Sequence, residues 1–176
     1  MNSIKKGYVH IYTGEGKGKT TAAIGLAVRA SGWNLSVLVA QLFKEKTAES
    51  RQMEKLGIKY LSYSSSHPFF KKYSEKGLAD EALKCQAFVR NVFDVIRKEH
   101  YDLVVIDEMG AALSFNLFPE KELAKLIKSK PEHTELVMTG RGFPESILKL
   151  GDYVTNMVKV KHIYDEGVQA RKGIEL

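Results

Sequence analysis

The chain has 176 residues, 44% hydrophobic and 27% charged, which is typical of a globular protein with a single domain over residues 1–176. No apolar run approaches the roughly 20 residues that cross a bilayer, and the first residues lack the apolar stretch of a signal peptide. The net charge of +6 suggests an anionic partner. The basic residues of the chain are dispersed along the sequence, which argues against a surface that binds nucleic acid.

Apolar runs and helix-periodic segments alternate along the chain. In chain order they predict strand 8–12, helix 19–31, strand 36–43, helix 48–56, strand 58–61, helix 78–99, strand 103–106, helix 119–130, strand 136–138, helix 144–150 and strand 153–160. This order is typical of right-handed βαβ crossovers, so we expect an α/β fold whose mostly parallel sheet carries helices on both faces. Residues 161–176 lack a clear period and are either a frayed tail or a segment that covers a site.

A glycine-rich loop separates the first predicted strand from the first predicted helix, Thr13-Gly14-Glu15-Gly16-Lys17-Gly18-Lys19-Thr20-Thr21. Its second half fits the phosphate-loop consensus G-x-x-x-x-G-K-[ST], although Thr13 replaces the first consensus glycine. The glycines allow backbone N–H groups to turn toward an anion, and the positive end of the following helix adds to the attraction. We therefore predict a P-loop NTPase-like fold in which nucleotide phosphates bind Gly14, Glu15, Gly16, Lys17, Gly18, Lys19, Thr20 and Thr21. The alternative is a glycine-rich turn with solvated lysines.

Two carboxylates follow the most apolar predicted strand, in Leu103-Val104-Val105-Ile106-Asp107-Glu108. Because parallel strands end at the same edge of a sheet, Asp107 and Glu108 should approach Thr20 there. These three oxygen-bearing side chains are the candidate ligands of a Mg²⁺ ion, which combines few protein oxygens with substrate phosphate. The alternative for the acidic pair is the capping of a helix N-terminus.

Arg141 stands between two glycines just after another predicted core strand. It should face the same edge and reach a phosphate or ribose, although a surface arginine fits the pattern equally well. With Lys19 and Glu108 it completes the candidate catalytic set. The five histidines show no pair at metal-ligand spacing. The single cysteine, Cys85, cannot form an internal disulfide, fits a core position and favours a cytoplasmic protein.

Three stretches resemble the P-loop type of ATP:corrinoid adenosyltransferase. They are the phosphate loop at 13–23, the acidic motif at 105–108 and a C-terminal pattern made of Thr139-Gly140-Arg141-Gly142, Pro144, Val154-Thr155, Val160-Lys161-His162, Asp165, Gly167 and residues 170–175. The C-terminal pattern is the most specific of the three, because common nucleotide enzymes do not share it. The similarity covers nearly the whole chain and is weakest at 62–76.

The resemblance implies transfer of the 5′-deoxyadenosyl group of ATP to Co(I) of a corrinoid, with release of triphosphate, in adenosylcobalamin synthesis or salvage. Members of this family bind ATP in reverse relative to ordinary P-loop enzymes. Lys17, Lys19 and a Mg²⁺ or Mn²⁺ ion at Thr20 and Glu108 would oppose the charge that grows on the leaving triphosphate. The resemblance also implies a homodimer and a flavoprotein that reduces the cobalt as partners, and neither nucleic acid nor a membrane.

Two internal positions depart from the family pattern, besides the short segment before the first predicted strand. The Phe-x-Trp element, whose aromatic residues help displace the lower ligand of the corrinoid, has no clear match. Phe69, Phe70 and Tyr73 are the candidates for that role, since the single tryptophan, Trp33, ends the first predicted helix. Gly110 replaces a residue that is usually polar in relatives, which predicts an altered substrate preference or a weak affinity for corrinoid.

Other functions stay compatible with the residues. A P-loop ATP hydrolase or small-molecule kinase would use Glu108 to position water or an acceptor hydroxyl. A nucleic-acid-binding ATPase would explain the positive net charge, although the dispersed lysines disfavour it. A regulatory protein would bind MgATP and leave it intact.

Overall fold

The computed structural model describes residues 4–44, 48–70 and 73–175. Within these ranges six parallel strands form one sheet in the order β3-β2-β4-β5-β1-β6. The strands are β1 (Val9–Thr13), β2 (Val37–Leu42), β3 (Lys59–Tyr63), β4 (Leu103–Asp107), β5 (Glu135–Thr139) and β6 (Tyr153–Asn156). The helices are α1 (Lys19–Gly32), α2 (Ala48–Lys55), α3 (Glu75–Lys98), α4 (Met109–Ser114), α5 (Glu120–Lys128) and α6 (Glu145–Leu148), with 3-10 turns at Pro68–Phe70 and Ile163–Glu166.

Helices cover both faces of the sheet, because alternate strand residues point to opposite sides. In β2, Val37 and Val39 pack with alanines of α1 and Met53 of α2. Leu38 and Ala40 pack on the other face, where α3, α4, α5 and α6 contribute their apolar residues. This arrangement confirms the α/β fold with a parallel sheet between two helical layers. Cys85 is fully buried in α3, as its core assignment predicts.

The observed elements depart from the predicted ones mainly at their ends. Helix α4 has no counterpart among the predicted elements, because six nearly apolar residues carry no helical period. Helix α3 begins at Glu75 rather than 78, since the Ser74 hydroxyl caps it by accepting a hydrogen bond from the Gly77 N–H at 3.2 Å. Strand β6 ends at Asn156 instead of 160.

The topology brings the functional motifs to one edge of the sheet. Strand β1, which leads into the phosphate loop, lies between β5 and β6, and β5 separates it from β4 and its acidic end. The register pairs Tyr12 with Thr139 and Gln41 with Asp107, so four strands end side by side. In the described ranges, no helix is both long and apolar enough to cross a membrane.

Candidate active site

The phosphate loop joins β1 to α1 and packs against the chain that leaves β6. Gly14 and Gly18 have φ angles of +97° and +112°, which favour glycine. A Cβ at Gly14 would lie 2.2 Å from Asn156 Oδ1 and 2.5 Å from the Met157 carbonyl oxygen. The Gly16 N–H donates to the same Met157 carbonyl at 2.6 Å. Both the backbone angles and this close approach therefore require the glycines of the loop.

Lys19 lies inside the curve of the loop. Its ammonium donates to the carbonyl oxygens of Gly14 and Gly16, each at 2.7 Å. Burial lowers the pKa of Lys19, and the positive charge of Arg141 lowers it further. In the ligand-free protein the ammonium is thus held by two carbonyl groups of the loop.

Asp107 ends β4 and is fully buried. Its Oδ1 accepts hydrogen bonds from the hydroxyls of Thr20, at 2.8 Å, and Thr139. Its Oδ2 accepts from Gln41 Nε2 at 2.9 Å and from Lys44 Nζ at 2.6 Å. Burial alone would raise the pKa of Asp107, but Lys44 and these donors hold it below its usual value. The predicted approach of Asp107 to Thr20 is therefore observed.

Glu108 follows in a left-handed conformation, with φ at +65°. Its backbone N–H donates to Thr139 Oγ1 at 3.1 Å, so the last residue of β5 contacts both members of the acidic pair. Its side chain is 20% exposed, and its Oε2 lies 3.5 Å from Nε2 of His67. A non-glycine residue held at positive φ beside a buried carboxylate is the kind of local strain that clusters at functional sites.

Arg141 reaches the phosphate loop across the end of β5. Its Nε lies 3.3 Å from Oε2 of Glu15, and both side chains are mostly exposed. The Arg141 backbone packs on Gly110 of α4, where a Cβ would lie 2.5 Å from the Arg141 carbonyl oxygen and 2.7 Å from the Gly140 carbonyl carbon. The lack of a side chain at Gly110 thus allows this loop to lie directly on α4.

The other predicted phosphate ligands are more open. Thr21 is exposed in the first turn of α1. Lys17 Nζ lies 3.0 Å from Oε1 of Glu175, so the C-terminal segment contacts the loop. Glu175 also accepts hydrogen bonds from the backbone N–H and the guanidinium of Arg171.

The candidates for displacing the lower ligand of a corrinoid differ in placement. Phe69 is 66% exposed in the 3-10 turn, and Tyr73 is half-buried just before α3. The side chain of Phe70 lies outside the described part of the chain. A cavity of about 520 Å³ lies nearby, between the ends of β2 and β3 and helix α3. It is lined by Phe43, Tyr63, Ser64, Ser65, Ser66, Glu81 and Lys84.

Sequence reasoning missed four side chains of this site: Gln41, Lys44, His67 and Thr139. Gln41 is a polar residue inside an apolar run and Thr139 ends a core strand, so a search for polar residues at strand ends could have found both. Lys44 carried no such signal, because its placement depends on Phe43, which has a φ of +57° and turns the chain back toward the site.

The oxygen-rich donor set suits a hard divalent cation. Thr20, Asp107 and Glu108 offer a hydroxyl and two carboxylates at the end of the phosphate loop. Among the described residues no cluster of three or more His, Cys, Asp or Glu side chains forms a metal site. A cation here would therefore depend on phosphate oxygens and water for its remaining ligands, as Mg²⁺ commonly does with nucleotides.

Comparisons with known proteins agree on the family. The profile described as "ATP:corrinoid adenosyltransferase BtuR/CobO/CobP" matches residues 5–176. The corrinoid adenosyltransferase CobA of Salmonella typhimurium strain LT2 is 32% identical over 97% of this chain and 86% of its own length. The corrinoid adenosyltransferase of Escherichia coli strain K12 is 30% identical over the same shares.

A solved structure shares the fold at lower identity. The flagellar accessory protein FlaH of Methanocaldococcus jannaschii superposes with a TM-score of 0.55 and 16% identity. The match covers 87% of this chain and 72% of FlaH. It supports the arrangement of a parallel sheet between helices and says nothing about the reaction.

Proposed function

The chain belongs to the ATP:corrinoid adenosyltransferase family, and we propose that it transfers the 5′-deoxyadenosyl group of ATP to Co(I) of a corrinoid. The family match over residues 5–176 and relatives about 30% identical over 97% of the chain support this reaction. The structural observation that supports it is the meeting of Lys19, Thr20 and Asp107 at one sheet edge, which offers an ammonium and a hydroxyl to a polyphosphate and a carboxylate to its cation.

In this reaction the protein mainly has to stabilise the negative charge on the leaving triphosphate. Co(I) donates an electron pair to C5′ of ATP, the C5′–O bond breaks, and its electron pair departs on the triphosphate oxygen. Since the cobalt is itself a strong nucleophile, the protein needs no serine or cysteine nucleophile and supplies orientation and electrostatics. Lys17 and Lys19 oppose the charge that grows on the triphosphate. Arg141, paired with Glu15 over the loop, is placed to do the same.

A divalent cation fits the same proposal. Mg²⁺ or Mn²⁺ bound at Thr20, Asp107 and Glu108 would neutralise phosphate charge, which is the chemistry that such an ion supplies in nucleotide enzymes. The Thr139 hydroxyl orients both acids, because it donates to Asp107 and accepts from the Glu108 N–H.

The family resemblance also suggests where the acceptor binds and which partners the protein has. We infer that the corrinoid approaches beside the cavity at the ends of β2 and β3, with Phe69 and Tyr73 as aromatic contacts. The exposure of Phe69 supports this placement. We also infer that residues 161–176 cover the phosphate loop, which the Lys17–Glu175 ion pair supports.

The proposal also includes a homodimer, a flavoprotein that supplies electrons to cobalt and a cytoplasmic location. Light scattering of the purified protein tests the dimer.

An anaerobic assay tests the reaction itself. Purified protein is mixed with MgATP and chemically reduced cob(I)alamin, and absorbance follows the light-sensitive Co–C product while phosphate species are separated. We expect adenosylcobalamin and intact triphosphate in equal amounts. Orthophosphate or pyrophosphate without a Co–C bond would instead identify a hydrolase or kinase. Parallel reactions with cobinamide compare the acceptors.

A further inference from the structure

Lys44 is a charged side chain at the centre of the site. Its ammonium lies 2.6 Å from Asp107 Oδ2 and 3.4 Å from Thr20 Oγ1. The side chain is 27% exposed, whereas most lysines lie in open solvent. Within the described ranges it is the cation that contacts both the hydroxyl ending the phosphate loop and the carboxylate ending β4.

The backbone conformation of Phe43 directs the Lys44 side chain toward Asp107 and Thr20. Phe43 has a φ of +57°, in a region that bulky residues rarely adopt. Its ring is buried and packs edge-on against Tyr63 and His67, at centroid distances of 6.0 Å and 5.8 Å. The packing of Phe43 thus holds an unfavourable turn that directs the next side chain onto Asp107.

We propose that Lys44 is a built-in cation of the active site, which neutralises Asp107 in the nucleotide-free protein and disfavours the binding of a divalent metal to Asp107 and Thr20 until nucleotide arrives. The inference rests on the proposed function only in that a metal acts at these residues. It assigns Lys44 a role in controlling when the metal binds.

The physical reason is the repulsion between the Lys44 ammonium and a divalent metal ion that would bind the same carboxylate. A buried carboxylate without a counter-charge is strongly unfavourable, and Lys44 supplies that charge when nucleotide is absent. A divalent ion bound by Asp107 and Thr20 would lie close to the Lys44 ammonium, and the two positive charges would repel each other. The ion therefore has to displace Lys44, and an incoming polyphosphate supplies the negative charge that offsets the added positive charge.

Mn²⁺ binding to the nucleotide-free protein tests this role. Electron paramagnetic resonance of unbound Mn²⁺ gives the dissociation constant for the wild type and for Lys44→Gln, whose amide keeps a donor but removes the charge. We expect Lys44→Gln to bind Mn²⁺ about tenfold more tightly or better. Adding Asp107→Asn to Lys44→Gln should abolish the gain, and Lys59→Gln, which removes an exposed lysine paired with Glu99, should leave the affinity unchanged.

Three results would overturn the proposal. They are tight Mn²⁺ binding by the nucleotide-free wild type, equally weak binding by a folded Lys44→Gln variant, and a gain of affinity in Lys44→Arg, which keeps the charge. Circular dichroism establishes folding, and the Lys44→Arg and wild-type measurements decide the matter if Lys44→Gln does not fold. Because neither ATP nor corrinoid is present, failure of the adenosylation assay leaves this result unaffected.

Discussion

Lys17 in the phosphate loop and Glu175 near the C-terminus form an ion pair with an Nζ–Oε1 distance of 3.0 Å. Hydrogen bonds hold the pKa of the Glu175 carboxyl well below its usual range, and those from Arg171 contribute more than the one from Lys17. The carboxylate is therefore ionised at neutral pH and pairs with the Lys17 ammonium. Under the proposed function, in which Lys17 contacts the triphosphate, ATP would compete with the C-terminal segment for this lysine.

Glu175→Gln should therefore lower KM for ATP by about two- to fivefold, since exposed ion pairs are weak, with little change in kcat. Steady-state kinetics at saturating cob(I)alamin measure both constants. Glu145→Gln is the matched control, because it breaks the exposed ion pair between Glu145 of α6 and Lys149, which follows that helix. A higher KM in Glu175→Gln would mean that the carboxylate positions Lys17 for ATP.

Lys19→Ala should abolish adenosylation in a protein that stays folded. Loss of an ammonium aimed at the leaving group costs about a hundred- to a thousandfold in kcat, by analogy with other groups that stabilise developing charge. The Co–C absorbance assay measures the rate, and Lys121→Ala on the exposed face of α5 is the control. Near-normal activity of Lys19→Ala would contradict a role of the phosphate loop in stabilising the leaving triphosphate.

Glu108→Gln should raise the Mg²⁺ concentration needed for half-maximal activity, because an amide oxygen is a weaker ligand than a carboxylate. Titration of activity with Mg²⁺ at fixed ATP measures the shift. The variant keeps the backbone N–H that donates to Thr139. An unchanged titration curve would count against Glu108 as a metal ligand.

Gly110→Ala should destabilise the protein by about 1–3 kcal/mol, since the new Cβ would lie 2.5 Å from the Arg141 carbonyl oxygen. The opposite result is expected for Gly25→Ala in α1, where a Cβ meets nothing within 4 Å and the unfolded chain loses freedom. Urea unfolding at neutral pH compares the two. Equal stability of both variants would show that the Arg141 loop moves away from α4 without cost.

The substitution Asp102→Asn tests how the free energy of unfolding depends on pH in the acidic range. Asp102 is buried and accepts the N–H groups of Ile4 at 3.0 Å and Ser36 at 2.9 Å. Burial would raise its pKa, but these donors and His100 lower it below the usual value. The stabilisation is therefore present above the unfolded pKa and is lost as pH falls through the lower folded pKa.

The substitution should cost about 1–3 kcal/mol at neutral pH, and the gap between variant and wild type should shrink below about pH 4. Urea unfolding at several pH values measures the free energy of unfolding for both proteins. The exposed Asp80→Asn should follow the wild type throughout. A gap that is independent of pH would contradict the ionised state of Asp102.

The sequence predicted the strands well because buried parallel strands are apolar on both faces, as β2 and β4 are. It also predicted which motifs share an edge, since parallel strands end together. Local patterns could not predict Lys44, because an aromatic residue at positive φ, here Phe43, leaves no mark on composition. The contact of Gly14 with Asn156 was equally hidden, since it joins residues far apart in the chain.

The place of β1 in the sheet has a consequence for how the protein is made. In the described ranges β1 pairs only with β5 and β6, both of which lie far from it along the chain. While the ribosome is still adding the preceding residues, the first strand has no neighbour and the phosphate loop lacks the Met157 carbonyl that fixes Gly16. The phosphate loop therefore completes its contacts only after residues 153–157 have been added, and a shorter nascent chain leaves β1 without a neighbouring strand.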